Sequence, residues 1–353
     1  MHAEERHREI LRRLRENGSV RVREVAAELG VSSITVRRDV EVLAERGLLA
    51  RVHGGAVLPE TAAGAAPASR SVGPGGRERV AGLVVPAADY YFPEVIKGAR
   101  EAAAERGIRL VLGITQYDPE QERAQVRHLL AEGVDGLLIT PCGPAGEVSL
   151  PDDAGVPYVL VERRAGDDAI DAEQVVSDHA YGARIAVRHL AEAGAGRTRI
   201  GLLLREDSPH RDAVREGFLA GLAAVGLPGA ESSVFRLPAP GRPEERERVL
   251  REFTEAAATG RFDAALVHND RDAIVLLQRL RAAGVRVPEE VAVVAYDDEV
   301  AALADIPLSA VAPPKHAVGA AAVDLLARRL ADPDRARHRV TILPELRVRE
   351  SSG

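Results

Sequence analysis

The run from residue 28 to residue 56 constrains the fold of this chain more than any other segment. It reads ELGVSSITVRRDVEVLAERGLLARVHGGA, in which a glycine ends one helix and a serine can cap the next. At about 100° per residue, Val36, Val40 and Leu43 share one face of that next helix, while Arg38 lies roughly opposite. The run therefore predicts a helix with a buried apolar face and a basic exposed face.

Two shorter helices precede this one in the pattern. Ile10, Leu11 and Leu14 would face inward from a helix over Glu5–Glu16, and Val25 and Leu29 from a helix over Arg23–Leu29. Ser32 is the expected N-cap of the third helix, which would run to about Arg46. LLARVHGGAVL then predicts a hairpin, because two glycines permit a tight turn.

A helix of this kind can enter the major groove of DNA with its N-terminal residues near the base edges. Arginine can bond guanine, and serine or threonine can bond bases or phosphates. The alternative is that the arginines are a solvated face of an ordinary three-helix domain. The candidate DNA contacts are Ser32, Ser33, Thr35, Arg37 and Arg38 on the helix, and Arg51, His53 and Gly54 on the hairpin.

Residues 5–58 closely resemble the DeoR-family helix-turn-helix. The matching residues are Ile10, Leu11, Val31, Ser32, Thr35, Val36, Arg37, Arg38, Asp39, Leu43, Gly47, Leu49, Arg51, His53, Gly54, Gly55 and Ala56. The resemblance implies that residues 1–58 bind double-stranded operator DNA. We expect Asp39 to be a structural partner for a nearby arginine rather than a base contact.

The charge distribution agrees with this division of the chain. The net charge of the 353 residues is −7, but residues 1–58 carry +2 and the remainder −9. Residues 59–78, PETAAGAAPASRSVGPGGRE, hold almost no large apolar side chain and predict a flexible linker. From Arg79 onward, short Val/Leu/Ile runs alternate with helical stretches, which is typical of an α/β protein with parallel sheets.

The predicted elements form two similar sets. The predicted strands are Val80–Pro86, Arg109–Ile114, Asp135–Thr140, Pro157–Glu162, Arg199–Leu204, Ser233–Arg236, Ala264–His268 and Val291–Tyr296. The predicted helices are Glu94–Arg106, Pro119–Glu132, Tyr181–Ala193, Asp212–Val225 and Arg271–Ala283, with Gly107, Gly133, Gly194, Gly226 and Gly284 as C-caps.

Several segments of this region, taken in order, resemble the ligand-binding core of the LacI family, which is similar to periplasmic sugar-binding proteins. They include EGVDGLLITP, GVPYVLVERR, VVSDHAYGARIAVRHLAEAG and FDAALVHNDRDAIVLLQRLRAAGVRVPEEVAVVAYDD. The resemblance implies an α/β fold: a small winged helix-turn-helix domain, then a two-lobed core with parallel sheets over residues 79–350. We expect lobe 1 at about 79–177 and 308–335, and lobe 2 at about 178–307 and 336–350.

In open α/β sheets, ligands bind outside the carboxyl ends of the strands. Aromatics make up only 3% of the chain, yet three follow the first strand; they could stack on a ligand, or pack on the domain edge. Arg163 could line the cleft or form a surface ion pair. By resemblance, Arg215 would grip the ligand, whereas Asp178 would stabilise the crossover. The candidate ligand contacts are Tyr91, Phe92, Arg163, Arg211, Arg215, Asn269 and Asp297.

Two features depart from the LacI pattern. The 59–78 segment is too rich in Ala, Gly and Pro to supply the family's hinge helix, and LPAPG stands where a cleft aromatic is common. We find no catalytic motif and no metal-ligand spacing, so no catalytic residue, metal or cofactor is expected.

The sequence predicts a cytoplasmic DNA-binding regulator, with repression as the expected sign. A charged N-terminus and the lone Cys142 support that compartment. The expected partners are operator DNA, a small polar effector, in the first instance a sugar, and a second copy in a homodimer or dimer of dimers, with no membrane. The alternatives are a soluble sugar-binding protein or an enzyme using cleft carboxylates on sugars.

Overall fold

The computed structural model describes residues 3–17, 19–29, 31–32, 35–36, 38–40, 43, 50–52, 55–57, 78–143, 154–164, 171–193, 196–229 and 231–353. The chain divides into two compact units, Met1–Ser71 and Val72–Gly353. Apart from Glu78, the predicted linker lies outside the described residues. Within the described part of the chain, no helix is long and apolar enough to cross a bilayer.

The smaller unit contains helices α1 (Ala3–Asn17) and α2 (Val22–Leu29) and a third helix, seen at residues 35–36, 38–40 and 43. Strand β1 (Ser19–Arg21) joins β2 (Ala50–Val52) and β3 (Gly55–Val57) in an antiparallel sheet of order β1-β3-β2. The predicted hairpin is confirmed, whereas the sequence pattern does not predict β1. The core consists of Ile10, Leu14, Val20, Val25, Ala26, Val36, Val40 and Leu43.

The larger unit alternates strands and helices along the chain. In order they are β4 (Arg79–Val85), α3 (Phe92–Glu105), β5 (Ile108–Ile114), α4 (Pro119–Ala131), β6 (Gly136–Ile139), β7 (Tyr158–Val161), β8 (Glu173–Ser177), α5 (His179–Glu192), β9 (Ile200–Arg205), α6 (Arg211–Ala224), β10 (Val234–Leu237), α7 (Pro243–Ala258), β11 (Ala264–His268), α8 (Asp270–Ala282), β12 (Ala292–Tyr296), β13 (Ser309–Ala312), α9 (Lys315–Ala331), β14 (Arg339–Ile342) and β15 (Glu345–Arg347).

These strands form two six-stranded sheets, one in each lobe. Lobe 1 has the all-parallel order β14-β8-β7-β6-β4-β5, and lobe 2 has β10-β9-β11-β12-β13-β15, with only β15 antiparallel. Helices cover both faces of each sheet. Leu83 and Val85 of β4 therefore belong to one apolar cluster, and Val84 between them belongs to another. This burial on both faces explains why the strands read as continuous apolar runs.

The predicted lobe boundaries near the C-terminus need correction. β13 hydrogen-bonds to β12, so residues 309–312 belong to lobe 2 and not to lobe 1. β14 hydrogen-bonds to β8, so residues 339–342 belong to lobe 1 and not to lobe 2. The chain therefore crosses between the lobes between β13 and β14 and again after β14. The sequence pattern does not show these crossings, because the partner of each strand is distant in the sequence.

The predicted elements of the core are confirmed to within two residues at each end, and their caps explain the boundaries. Asp118 and Asp178 accept backbone N–H bonds at the starts of α4 and α5. Gly133 has φ 76° and closes α4, as Gly107, Gly226 and Gly284 close their own helices. The predicted cap at Gly194 lies outside the described residues.

Candidate functional site

Among the described residues of the larger unit, many buried polar groups lie where the carboxyl ends of strands from both sheets meet. Lobe 1 contributes the residues after β4 and β7, and lobe 2 those after β11 and β12. Parallel strands end at the same edge of a sheet, so these loops converge. We call this region the lobe junction, defined by Tyr90, Glu162, Arg163, His179, His210, His268, Asn269, Asp270 and Asp297.

Tyr90 links the two lobes. It follows β4 in lobe 1, and its hydroxyl donates to Asp270 Oδ1 and to Asp297 Oδ2 (3.2 Å), both in lobe 2. The Arg271 guanidinium lies 4.2 Å from the centroid of its ring. Burial, reinforced by the two carboxylates, raises the pKa of Tyr90, so the hydroxyl stays protonated and can act as the donor.

Asp297 lies on the lobe 2 side of this contact and is buried. Burial raises its pKa to about 7, although the nearby Lys315 ammonium acts in the opposite direction. Lys315 Nζ donates to the backbone carbonyl of Asp297 and forms an ion pair with Glu299. The candidate residue Asp297 is therefore at the junction and already holds a protein partner.

The carboxylate of Glu162 in lobe 1 is held by three hydrogen-bond donors. Its carboxylate accepts from the Tyr91 hydroxyl (2.8 Å), the Ser177 hydroxyl (2.8 Å) and the Ser177 N–H (3.1 Å). Burial nevertheless raises its pKa, against these hydrogen bonds. These three hydrogen bonds connect the ends of β7 and β8 to the loop after β4.

The predicted stacking roles of Tyr91 and Phe92 are not supported. Tyr91 is 9% exposed and Phe92 4%, and both belong to the apolar core of lobe 1. Their rings pack edge to face with centroids 5.6 Å apart. Rings so fully covered by protein leave little free face for a ligand, and Tyr90 is the aromatic that reaches across the junction.

Three histidines line the junction on the lobe 2 side. The rings of His179 and His210 stack with centroids 3.8 Å apart, and His268 lies 5.4 Å from the Tyr296 ring. Burial, followed by neighbouring positive charges, lowers the pKa of His179 and of His268 to about 3, and that of His210 well below its usual value. All three are neutral near pH 7. In the described part of the chain, no group of residues could hold a metal ion.

Some buried polar atoms at the junction have no hydrogen-bond partner among the described residues. They are Arg163 Nη1, both ring nitrogens of His179, His268 Nδ1 and, after β6, Thr140 Oγ1. Buried polar groups in native proteins are nearly always satisfied, so such atoms indicate a ligand or water between the lobes. Of the sequence candidates, Arg163 shows this signature.

The other three candidates have different surroundings. Asn269 is buried and its side-chain oxygen caps α8 by accepting from Asp272 N–H at 3.3 Å. Arg211 is exposed and donates to the Glu206 carbonyl at 3.2 Å, so a ligand role is not supported. Arg215 is half-buried one turn further along α6.

Six residues of the junction are not among the candidate ligand contacts that the sequence predicts: Tyr90, Glu162, His179, His210, His268 and Asp270. A signal was available for Glu162, His268 and Asp270, because each stands at the end of a predicted strand or just after one. His179 follows β8, a strand that the sequence pattern does not predict. Asp270, next to Asn269, accepts from Tyr90 and from the N–H groups of Glu299 and Val300.

In the smaller unit, the third helix begins as predicted. Ser32 Oγ accepts from Thr35 N–H at 3.1 Å and lies 2.8 Å from Thr35 Oγ1. Arg38 is exposed, while Asp39 on the next position is buried. Ser33, Arg37, His53 and Gly54 lie outside the described residues. Arg51 lies in β2, and its side chain is not among those described.

Asp39 fixes the third helix to α1. Arg6 donates to its two carboxylate oxygens from Nε (2.7 Å) and Nη2 (3.1 Å), and His7 Nε2 lies 3.1 Å from Oδ1. Burial alone would raise the pKa of Asp39, but the bonds from Arg6 and His7 outweigh it and lower the pKa. The prediction that Asp39 is a structural partner for an arginine is confirmed.

Comparison with known proteins identifies both units. Residues 6–62 match a DeoR-like helix-turn-helix domain, and residues 187–352 match a periplasmic binding protein-like domain. The arabinose metabolism transcriptional repressor of Geobacillus stearothermophilus is 27% identical over 315 residues, covering 86% of this chain and 82% of that protein. The transcriptional repressor PurR of Vibrio cholerae is 28% identical over 277 residues, covering 76% of this chain and 79% of that protein.

A solved structure extends this similarity to three dimensions. A transcriptional regulator assigned to the LacI family from Sanguibacter keddieii superposes with a TM-score of 0.64 at 29% identity. It covers 79% of this chain and all of its own.

Proposed function

The chain belongs to the LacI family through its periplasmic binding protein-like core and carries a DeoR-like helix-turn-helix domain at its N-terminus, and we propose that it is a transcriptional repressor controlled by a small effector at the lobe junction. The observation that carries the effector role is the set of unsatisfied buried polar atoms between two separately built lobes. A ligand that contacts both lobes would favour the arrangement in which they are close. Repression then depends on different effector affinities in the DNA-competent and DNA-incompetent states.

The DNA-binding role rests on the third helix of the smaller unit. Its Ser32 cap and the Asp39–Arg6 pair hold the helix, while Arg38 is exposed on it. An exposed arginine on a recognition helix can bond the O6 and N7 of guanine. DNA is then the partner, and the cytoplasm is the proposed compartment.

We further propose that the protein acts as a homodimer. Helix α8 and the 284–306 segment line a surface groove of about 720 Å³ with mixed polar and apolar walls, and Leu303 on its edge is 81% exposed. A second copy related by twofold symmetry would cover the same groove on both chains. Such a dimer would present two recognition helices to a pseudo-palindromic site, and light scattering would report twice the mass of one chain.

An enzyme that uses the junction carboxylates is the weaker candidate. Asp270 and Asp297 both bond Tyr90, and Glu162 is held by its own three donors. Each of these carboxylates therefore already contacts a protein donor. The relatives found by sequence comparison are regulators as well.

Selection of genomic DNA fragments by the purified full-length protein tests the proposed function. The wild-type protein should enrich a small set of related sites. Arg38→Ala should lose that enrichment because it loses a base contact, worth about 1–3 kcal/mol of discrimination. Arg12→Ala, an equal loss of charge on the exposed side of α1, serves as the control and should enrich the wild-type sites. Enrichment of the same sites by Arg38→Ala would refute the role of this helix.

A further inference from the structure

We propose that Tyr90 is a latch between the two lobes, which stabilises the closed arrangement of the core before any effector binds. The latch consists of the contacts that the Tyr90 hydroxyl and ring make with lobe 2. This role rests on the proposed function, because it concerns how the effector response of the lobe junction is set. It adds a regulatory contact that is built into the protein and operates without a ligand.

Lobe 1 presents Tyr90 from a fixed base. The next two residues, Tyr91 and Phe92, are buried in the apolar core of lobe 1, and the Tyr91 hydroxyl donates to Glu162 at 2.8 Å. Tyr90 itself is half-buried and has φ 51°, a left-handed backbone conformation that a non-glycine residue keeps only where surrounding contacts maintain it. The Tyr91 hydroxyl therefore bonds within lobe 1, whereas the Tyr90 hydroxyl bonds to lobe 2.

Lobe 2 receives the Tyr90 hydroxyl with a carboxylate whose orientation is fixed. Asp270 is fully buried, and its Oδ2 accepts from the backbone N–H groups of Glu299 (2.6 Å) and Val300 (2.7 Å). Its Oδ1 accepts from Tyr90, and Asp297 Oδ2 lies 3.2 Å from the same hydroxyl. Asp297 also has a left-handed backbone, with φ 82°. Because hydrogen bonds to charged groups are stronger than those between neutral groups, this contact opposes separation of the lobes.

The ring of Tyr90 makes a second contact with lobe 2. The guanidinium of Arg271, in the first turn of α8, lies 4.2 Å from the ring centroid. The hydroxyl and the ring thus contact different groups of lobe 2, and each contact can be removed alone by substitution. Both are lost when the lobes separate, whereas the bond from Tyr91 to Glu162 is kept.

The latch sets how much effector a response requires. The apparent Kd of a ligand that binds the closed arrangement is its intrinsic Kd divided by the fraction of protein that is closed. Loss of the latch lowers that fraction and moves the free protein away from the effector-bound arrangement. Tyr90→Phe and an effector should therefore change operator affinity in opposite directions.

Hydrogen exchange of the full-length protein without any added ligand tests the latch. Tyr90→Phe removes the hydroxyl, Arg271→Met removes the charge over the ring, and Tyr90→Leu removes both contacts. Tyr158→Phe is the matched control, because it loses a hydroxyl at the first residue of β7 and the junction lies after the last residue of that strand.

In Tyr90→Phe, the backbone N–H groups of residues 87–91 and 297–300 should exchange roughly tenfold faster than in the wild type, and in Tyr90→Leu faster still. Arg271→Met should give a smaller increase, and Tyr158→Phe none. Residues 206–210, the loop after β9 in lobe 2, should also exchange faster in Tyr90→Leu, because opening of the lobes exposes the whole junction.

Wild-type exchange rates in Tyr90→Leu would overturn the latch, as would faster exchange that is confined to residues 87–91. Operator affinity measured with arabinose, ribose and glucose separates this result from the proposed function. A sugar that changes the operator Kd in the same direction as Tyr90→Phe would contradict the latch and leave the repressor intact. Faster exchange in Tyr90→Phe, with an operator Kd that neither this variant nor any sugar changes, would leave the latch and contradict control of DNA binding from the junction.

Discussion

Consecutive residues of the same type have different roles at the lobe junction because their burial and partners differ. Asp297 is buried against Tyr90 with its pKa raised to about 7, whereas Asp298 forms ion pairs with Arg347 (2.8 Å) and Arg349 (2.6 Å). The sequence shows that both follow a strand and that either could contact a ligand. It does not show the direction of each side chain, since that depends on loop torsions and on partners far away in the chain.

The histidines predict how the stability of the core depends on pH. The folded-state pKa of His179 and of His268 is about 3, below the ordinary 6.5, so from about pH 6.5 downward only the unfolded chain takes up their protons. Stability is therefore lost as the pH falls. Asp297 acts in the opposite direction between about 7 and 3.8, because its folded-state pKa is the higher one. Buried Glu162, whose folded-state pKa is also raised, acts in the same direction as Asp297, so the contribution of the histidines has to be measured with a histidine variant.

His179→Phe keeps a ring at this position and removes one of the titrating groups. The loss of unfolding free energy between pH 6.5 and 5 should become shallower by about 1.4 kcal/mol per pH unit, measured by urea unfolding. His128→Gln, a change on the exposed surface of α4, is the control and should keep the wild-type slope. An unchanged slope in His179→Phe would show that His179 is not buried in its neutral form.

At the level of helices and strands, the local sequence pattern was sufficient to predict a helix where capping residues stand at both of its ends. Asp118 before α4 and Gly133 after it mark that helix in the sequence as clearly as in the structure. The sequence pattern did not show which of the two sheets a strand joins. β13 and β14 are both short, and only their pairing with β12 and β8 assigns them to different lobes.

Helices α3 and α9 approach closely at glycines, which gives a prediction for the packing of lobe 1. A Cβ atom on Gly319 would lie 2.0 Å from the Val95 carbonyl oxygen, a backbone atom that cannot move aside easily. Gly319→Ala should therefore lower the free energy of unfolding by about 1–3 kcal/mol.

Gly241→Ala is the matched control, because a Cβ at that position meets no atom within 4 Å. Its effect should stay within about 0.5 kcal/mol in the same denaturant titration. Equal stability of the two variants would mean that α3 and α9 are not in contact through these glycines.

At the scale of the whole molecule, the two units carry separate parts of one function. The smaller unit is recognisable from its sequence because a short motif is typical of the DeoR-like helix-turn-helix domain that residues 6–62 match. The proposed effector site was only partly predictable: Arg163 and Asp297 each follow a predicted strand, but Tyr90 and the histidine cluster depend on how the two lobes meet. Loops from distant parts of the chain converge there, and no local pattern encodes that convergence.

Operator binding measured with and without effector tests the central claim most directly. Fluorescence anisotropy would follow a selected operator fragment with the full-length protein and the small polar compound that raises its Tm most in a thermal-shift screen of sugars. The effector should change the operator Kd of the wild type by about tenfold or more. Asp297→Asn should bind the operator with wild-type affinity and lose that response. An operator Kd that is the same with and without effector in the wild type, or a full response in Asp297→Asn, would contradict control from the lobe junction.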